Sequence, residues 1–133
     1  MIPPRTLSLL PLLMVLALLS ACASSPRFAT LDAQVVADSP FELPDNAELR
    51  VTLEDLSETT VIAVSTYTRL QSVPVPVSLR YDANAIDEDH AYALRARVRA
   101  NGRSTHINRE PVPVLTGNAS EGAIEIPLEA THR

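Results

Sequence analysis

From about residue 31 onward the apolar residues of this chain recur at every second position, and that period limits its fold more than any other feature. In "ELRVTLEDL", Leu49, Val51 and Leu53 fall on one side of an extended strand while Arg50, Thr52 and Glu54 fall on the other. A helix would scatter the same residues around its axis. The alternation returns in "VPVPVSLRY", which puts Val73, Val75, Val77, Leu79 and Tyr81 on one face, and in "YALRARVRA", which turns Tyr92, Leu94, Ala96 and Val98 inward. Shorter candidates are "DAQVVA" at 32–37, "TVIAVSTYTRL" at 60–70, "RSTHINR" at 103–109, "VPVLT" at 112–116 and "AIEIPL" at 123–128. Turn residues separate them every ten or so positions. The expectation is an all-β fold: a single small antiparallel β-sandwich of seven to eight short strands, with almost no helix.

The connections carry their own signals. Asn101-Gly102 stands directly between two alternating runs, and both residues tolerate the positive φ of a type I′ turn, so a hairpin is expected there. The longer loop "DANAIDEDH", Asp82 to His90, has room for one helical turn that packs Ile86 on the end of the domain. Its acids Asp87, Glu88 and Asp89 lack the spacing and the glycine of a calcium loop. Pro74 and Pro76 remove two donors from the same side of one strand, and Pro111 and Pro113 repeat the device. Strands of this kind belong at sheet edges.

The N-terminal segment follows different rules. Arg5, the uncharged run "LSLLPLLMVLALL" and small residues before Cys22 make residues 1–21 a processing signal, too short for a comfortable membrane-spanning helix. "LSAC", Leu19 to Cys22, resembles the lipobox of bacterial lipoproteins. That resemblance implies lipid on the Cys22 thiol and cleavage just before it, and Ala23 in the following position implies residence in the outer membrane. Several acyl chains on one cysteine would anchor firmly where a single chain holds only marginally. The plainer alternative is a cysteine that happens to end a signal peptide. Residues 22–30 then form the lipidated cysteine and a tether, and 31–130 the folded domain.

All sixteen acids and ten of the eleven basic residues lie beyond residue 21, so the part that folds is acidic. That balance argues against nucleic acid as a partner. With Cys22 the one cysteine, no disulfide can form within the chain, and stability must come from ordinary packing. His90, His106 and His132 show neither metal-ligand spacing nor a recognisable triad, and the chain has no glycine-rich phosphate loop. No cofactor or metal is expected, nor enzymatic activity. Arg95, Arg97 and Arg99 form a row on the outward face of their strand, about 7 Å apart given the rise of a strand. They are candidates for partner binding, the alternatives being solvation or pairing with glutamates such as Glu125 or Glu129.

The runs "ELPDNAELRVTLEDLS", "VPVPVSLRYDANAIDEDHAYALRARVRANGR" and "PVLT", in this order, resemble the YbaY/YscW family of bacterial lipoproteins over roughly Leu31 to Leu128. The resemblance implies a small β-sandwich displayed from the outer membrane. Its best-understood branch consists of pilotins, lipoprotein chaperones that bring a secretin subunit of type III secretion to that membrane. The function expected is therefore a non-enzymatic binding or chaperone module, with a secretin or another envelope protein as partner. The alternative is a structural or stress-related envelope lipoprotein without a secretin client.

Overall fold

The computed structural model describes residues 25–37, 43–70, 72–117, 119 and 122–131. The signal segment, Cys22 and His132 lie outside the described residues. The strands are β1 (Phe28–Ala37), β2 (Glu48–Asp55), β3 (Thr60–Tyr67), β4 (Val75–Asp82), β5 (Tyr92–Ala100), β6 (Arg103–Ile107), β7 (Val112–Val114) and β8 (Glu125–Ala130). A single 3-10 turn, Ala83–Ala85, follows β4. The fold is all-β, as the alternation requires.

The hydrogen-bonded order is β3-β2-β5-β6-β8-β1-β4, with β7 also paired to β5, and the sheet curls until it is nearly closed. β8 joins the two halves, antiparallel to β6 through His106 and Ala130 and parallel to β1 through Val35 and Ile126. This parallel pair departs from the wholly antiparallel sandwich expected. A hairpin forces neighbours to run antiparallel, but β1 and β8 are separated by almost the whole domain, so no short connection dictates their sense.

The inward alternation forms the core. Leu49, Val51, Leu53, Leu79, Leu94 and Val98 are buried together with Tyr92, Val35 and Ile126. A one-residue slip in any of these strands would turn its apolar set to water, so the pattern fixes register as well as face. Where the curled sheet brings β3 and β4 together, the Tyr67 hydroxyl accepts from the Ser78 N–H at 2.7 Å and donates to the Ser78 carbonyl at 3.0 Å. One side chain thus satisfies both backbone groups that Ser78 turns away from β1.

The turns follow the sequence closely. Asn101 and Gly102 have φ of 55° and 76°, as a type I′ turn demands, and join β5 to β6. Asp82 accepts from Asn84 N–H and Arg27 N–H, capping the 3-10 turn and holding the entry to β1, while Ile86 packs against the core. Pro76 lies in β4, which ends the sheet, and Pro113 in the short β7, so both sit on edge strands. β1 starts earlier than the alternation suggested. It takes Phe28, Ala29 and Thr30 from the segment read as tether, with Phe28 opposite Asp82 and the Arg80 guanidinium 4.1 Å above the Phe28 ring.

Candidate functional site

β2 and β5 pair along their whole length, which determines what stands beside each arginine. Arg99 lies opposite Glu48, Arg97 opposite Arg50, and Arg95 opposite Thr52. With Leu94, Ala96 and Val98 buried, all three arginines of β5 are held in solvent, as their alternation dictates. They are not equivalent. Arg95 makes an ion pair with Glu54, diagonally across on β2, instead of with Glu125 or Glu129. Glu129 is engaged by Arg109. Arg50 was not singled out from sequence, although it shares the outward face of β2; only the register places it against Arg97. A hollow of about 280 Å³ lies over this face, lined by Arg50, Thr52, Glu54, Arg95, Arg97 and Ile107 among others.

A second polar cluster sits at the end of the domain. Asp55 continues the inward alternation of Leu49, Val51 and Leu53, so the sheet buries it to 4% exposure. Its carboxylate accepts from the Ser57 and Glu58 N–H groups and lies 2.7 Å from His90 Nδ1. His90 Nε2 lies 3.5 Å from Asp87 and 3.8 Å from Glu58. The hydrogen bond to Asp55 raises the His90 pKa against the opposing effect of burial, and Asp87 and Glu58 add to the rise. Burial alone would raise Asp55, but His90 and the two N–H donors outweigh it and hold the carboxyl below its ordinary value. His106 is shifted the other way, downward, because its ring is partly buried beside Val98.

The Asp55–His90 pair holds the β2–β3 turn against the loop that enters β5. Ser57 Oγ, the nearest hydroxyl in sequence, accepts from Ala91 N–H, and Thr116 Oγ1 donates to the His90 carbonyl. Both hydroxyls thereby lock the same loop. The contribution of His90, whose pKa is raised, is complete below its unfolded value of 6.5 and fades as pH climbs through the folded value. That of Asp55, whose pKa is lowered, is complete above 3.8 and fades as pH falls through its folded value. The pair therefore stabilises most between those two values. His90→Gln should lower the urea midpoint more at about pH 5.5 than at about pH 9. Equal losses at both would show that the imidazole acts as a neutral spacer.

Among the described residues no group of three or more His, Cys, Asp and Glu side chains has metal-binding geometry, and no helix is long and apolar enough to cross a membrane. A family model described as "Type III secretion system lipoprotein chaperone (YscW)" matches residues 26–126. This chain belongs to the YscW family. The match spans β1 through the first residues of β8, so it includes the arginine face and the Asp55–His90 latch alike. The fold is also similar to a solved structure, an alternative pilotin from the type II secretion system of Vibrio cholerae. The TM-score is 0.74 at 28% identity, covering 80% of this chain and all of that one. No curated protein matches the chain in sequence. The recognition made on sequence motifs is thus supported by family and by fold.

Proposed function

We propose that this YscW-family chain is a non-enzymatic, pilotin-like chaperone, tethered to the outer membrane by lipid on Cys22, that carries a secretin subunit there. The family match over residues 26–126 carries this reading, because it covers almost the entire domain and names a secretion-system lipoprotein chaperone. The similarity to the type II pilotin supports it from the side of the fold. "LSAC" supplies the means of attachment: the thiol takes the lipid, and residues 23–27 span from it to β1. A domain held by acyl chains stays at the surface while its outward β faces remain open to a client.

Cys22→Ser separates tether from chaperone, since serine offers no thiol for lipid transfer. In cells fed a radioactive fatty acid, the wild-type chain should be labelled, fractionate with the outer membrane and recover the cell's own secretin from detergent-solubilised envelope. The serine variant should be unlabelled and absent from that fraction. Labelling of the variant would refute the anchor. Failure of the wild type to recover secretin would refute the client.

A further inference from the structure

The outer face of β2 and β5 carries a charge arrangement that the fold does not need. Arg50 and Arg97 stand directly opposite one another, both exposed, where like charges repel and destabilise the sheet. Neighbouring acids do not relieve them. Glu54 is engaged by Arg95 and Glu129 by Arg109, while Glu48 stands opposite Arg99. Among the described residues neither Arg50 nor Arg97 has an ion pair. The chain as a whole is acidic, with a formal charge of −5, so this is a local cationic site on a molecule whose overall field repels anions.

The surroundings restrict what the pair can hold. On β3, Thr66 lies opposite Arg50, while Val64, 46% exposed, lies opposite Thr52 and so diagonal to Arg50; on the far side, Ile107 of β6 lies opposite Arg97. One apolar side chain thus stands across from Arg97 and another diagonally from Arg50, and the hollow of about 280 Å³, lined by both arginines and Ile107, lies over the pair. A free inorganic anion would make no use of these borders. A peptide segment with carboxylates between apolar residues would use both, because each guanidinium fork can grip a carboxylate through two parallel hydrogen bonds.

We propose that Arg50 and Arg97 form a clamp for the carboxylates of an acidic, partly apolar segment of the protein's client. The identity of that client rests on the chaperone reading above; the clamp itself rests on the register. Binding removes the repulsion that the free chain tolerates, so affinity and stability respond oppositely to the same substitution. Arg50→Gln/Arg97→Gln should leave the denaturation midpoint unchanged or raised. It should weaken binding by about tenfold or more, the worth of a charge-assisted contact.

The test uses the full chain in detergent as wild type, as Arg50→Gln/Arg97→Gln, and as Arg109→Gln, which breaks an ion pair away from the clamp. Two probes are titrated against each: the cell's own secretin, and a synthetic peptide alternating leucine and glutamate. The clamp predicts that wild type and Arg109→Gln bind both probes, more weakly as salt rises, while the double variant loses about tenfold or more with its midpoint intact. Secretin bound equally by all three proteins would overturn the clamp and leave the chaperone reading standing. Should wild type not bind secretin, the chaperone reading falls and the peptide decides alone. Peptide bound by wild type and lost in the double variant supports the clamp, and peptide bound by neither, or by both equally, overturns it.

Discussion

Leu94→Ala is expected to lower the free energy of unfolding by about 2–5 kcal/mol, whereas Arg97→Ala, three residues along the same strand, should change it by less than about 0.5 kcal/mol. The two residues differ in face, not in element. Leu94 has no exposed surface; it lies opposite Leu53 of β2 on one side and Val112 of β7 on the other, in the middle of the core. Truncating it removes apolar area from the interior and leaves a cavity that strands paired on both sides cannot collapse to fill. Arg97 has only solvent above it and Arg50 beside it, so its loss relieves repulsion if it does anything. Urea denaturation of the 23–133 fragment measures both. Equal midpoint shifts would mean that β5 presents the other face to the core.

This contrast marks what the sequence makes legible. Face is a local property: a period of two, with apolar side chains on alternate positions, decides inside and outside without knowledge of any partner strand. β2 and β5 accordingly bury Leu49, Val51, Leu53, Tyr92, Leu94, Ala96 and Val98 as expected, with Ala93 a buried exception on the outward side, and Asn101-Gly102 forms its hairpin because two adjacent residues contain all the required conformational information. Family was legible too, since "PVPVSLRYD" and "YALRARVRA" fall in order at the right distances. Pairing is not local. Nothing near Val35 announces that Ile126 will lie beside it in parallel, or near Arg50 that Arg97 will face it. The site suffers from the same limit. Asp55 and His90 are far apart in sequence, and nothing in the loop around His90 announces the carboxylate it meets. One signal was available: Asp55 continues the inward set of β2, and a carboxylate turned toward a core needs a cation or several N–H donors.

Asn108→Ala is expected to cost about 3 kcal/mol, unusually much for a polar residue outside any strand, and the reason is topological. β6 ends at Ile107 and β7 begins at Val112, yet both pair with the same edge of β5. Between them β5 would present unpaired backbone groups to a buried gap. Asn108, 5% exposed, fills it: its carbonyl oxygen accepts from Ala96 N–H at 2.8 Å, and its amide nitrogen donates to the carbonyls of Leu94 and Glu110, each at 3.1 Å. Its own N–H donates to the Ala96 carbonyl at 3.2 Å, so this one residue serves as the missing piece of strand. Alanine keeps the backbone bond but strands one buried donor and one buried acceptor on β5, each costing about 1–3 kcal/mol, partly offset where water can enter from the hollow above. Asn108→Asp gives the sharper comparison because it preserves shape. A carboxylate still accepts from Ala96 but turns a second oxygen toward the carbonyls of Leu94 and Glu110, which offer no proton. At neutral pH the aspartate should therefore cost at least as much as alanine, and in mild acid, where a protonated carboxyl can donate again, part of that loss should return. Urea midpoints for both variants at the two pH values decide the matter. If aspartate were tolerated at neutral pH as well as asparagine, the amide nitrogen would not be bridging β5 to the loop between β6 and β7, and the gap in the edge of β5 would have to be closed by other means.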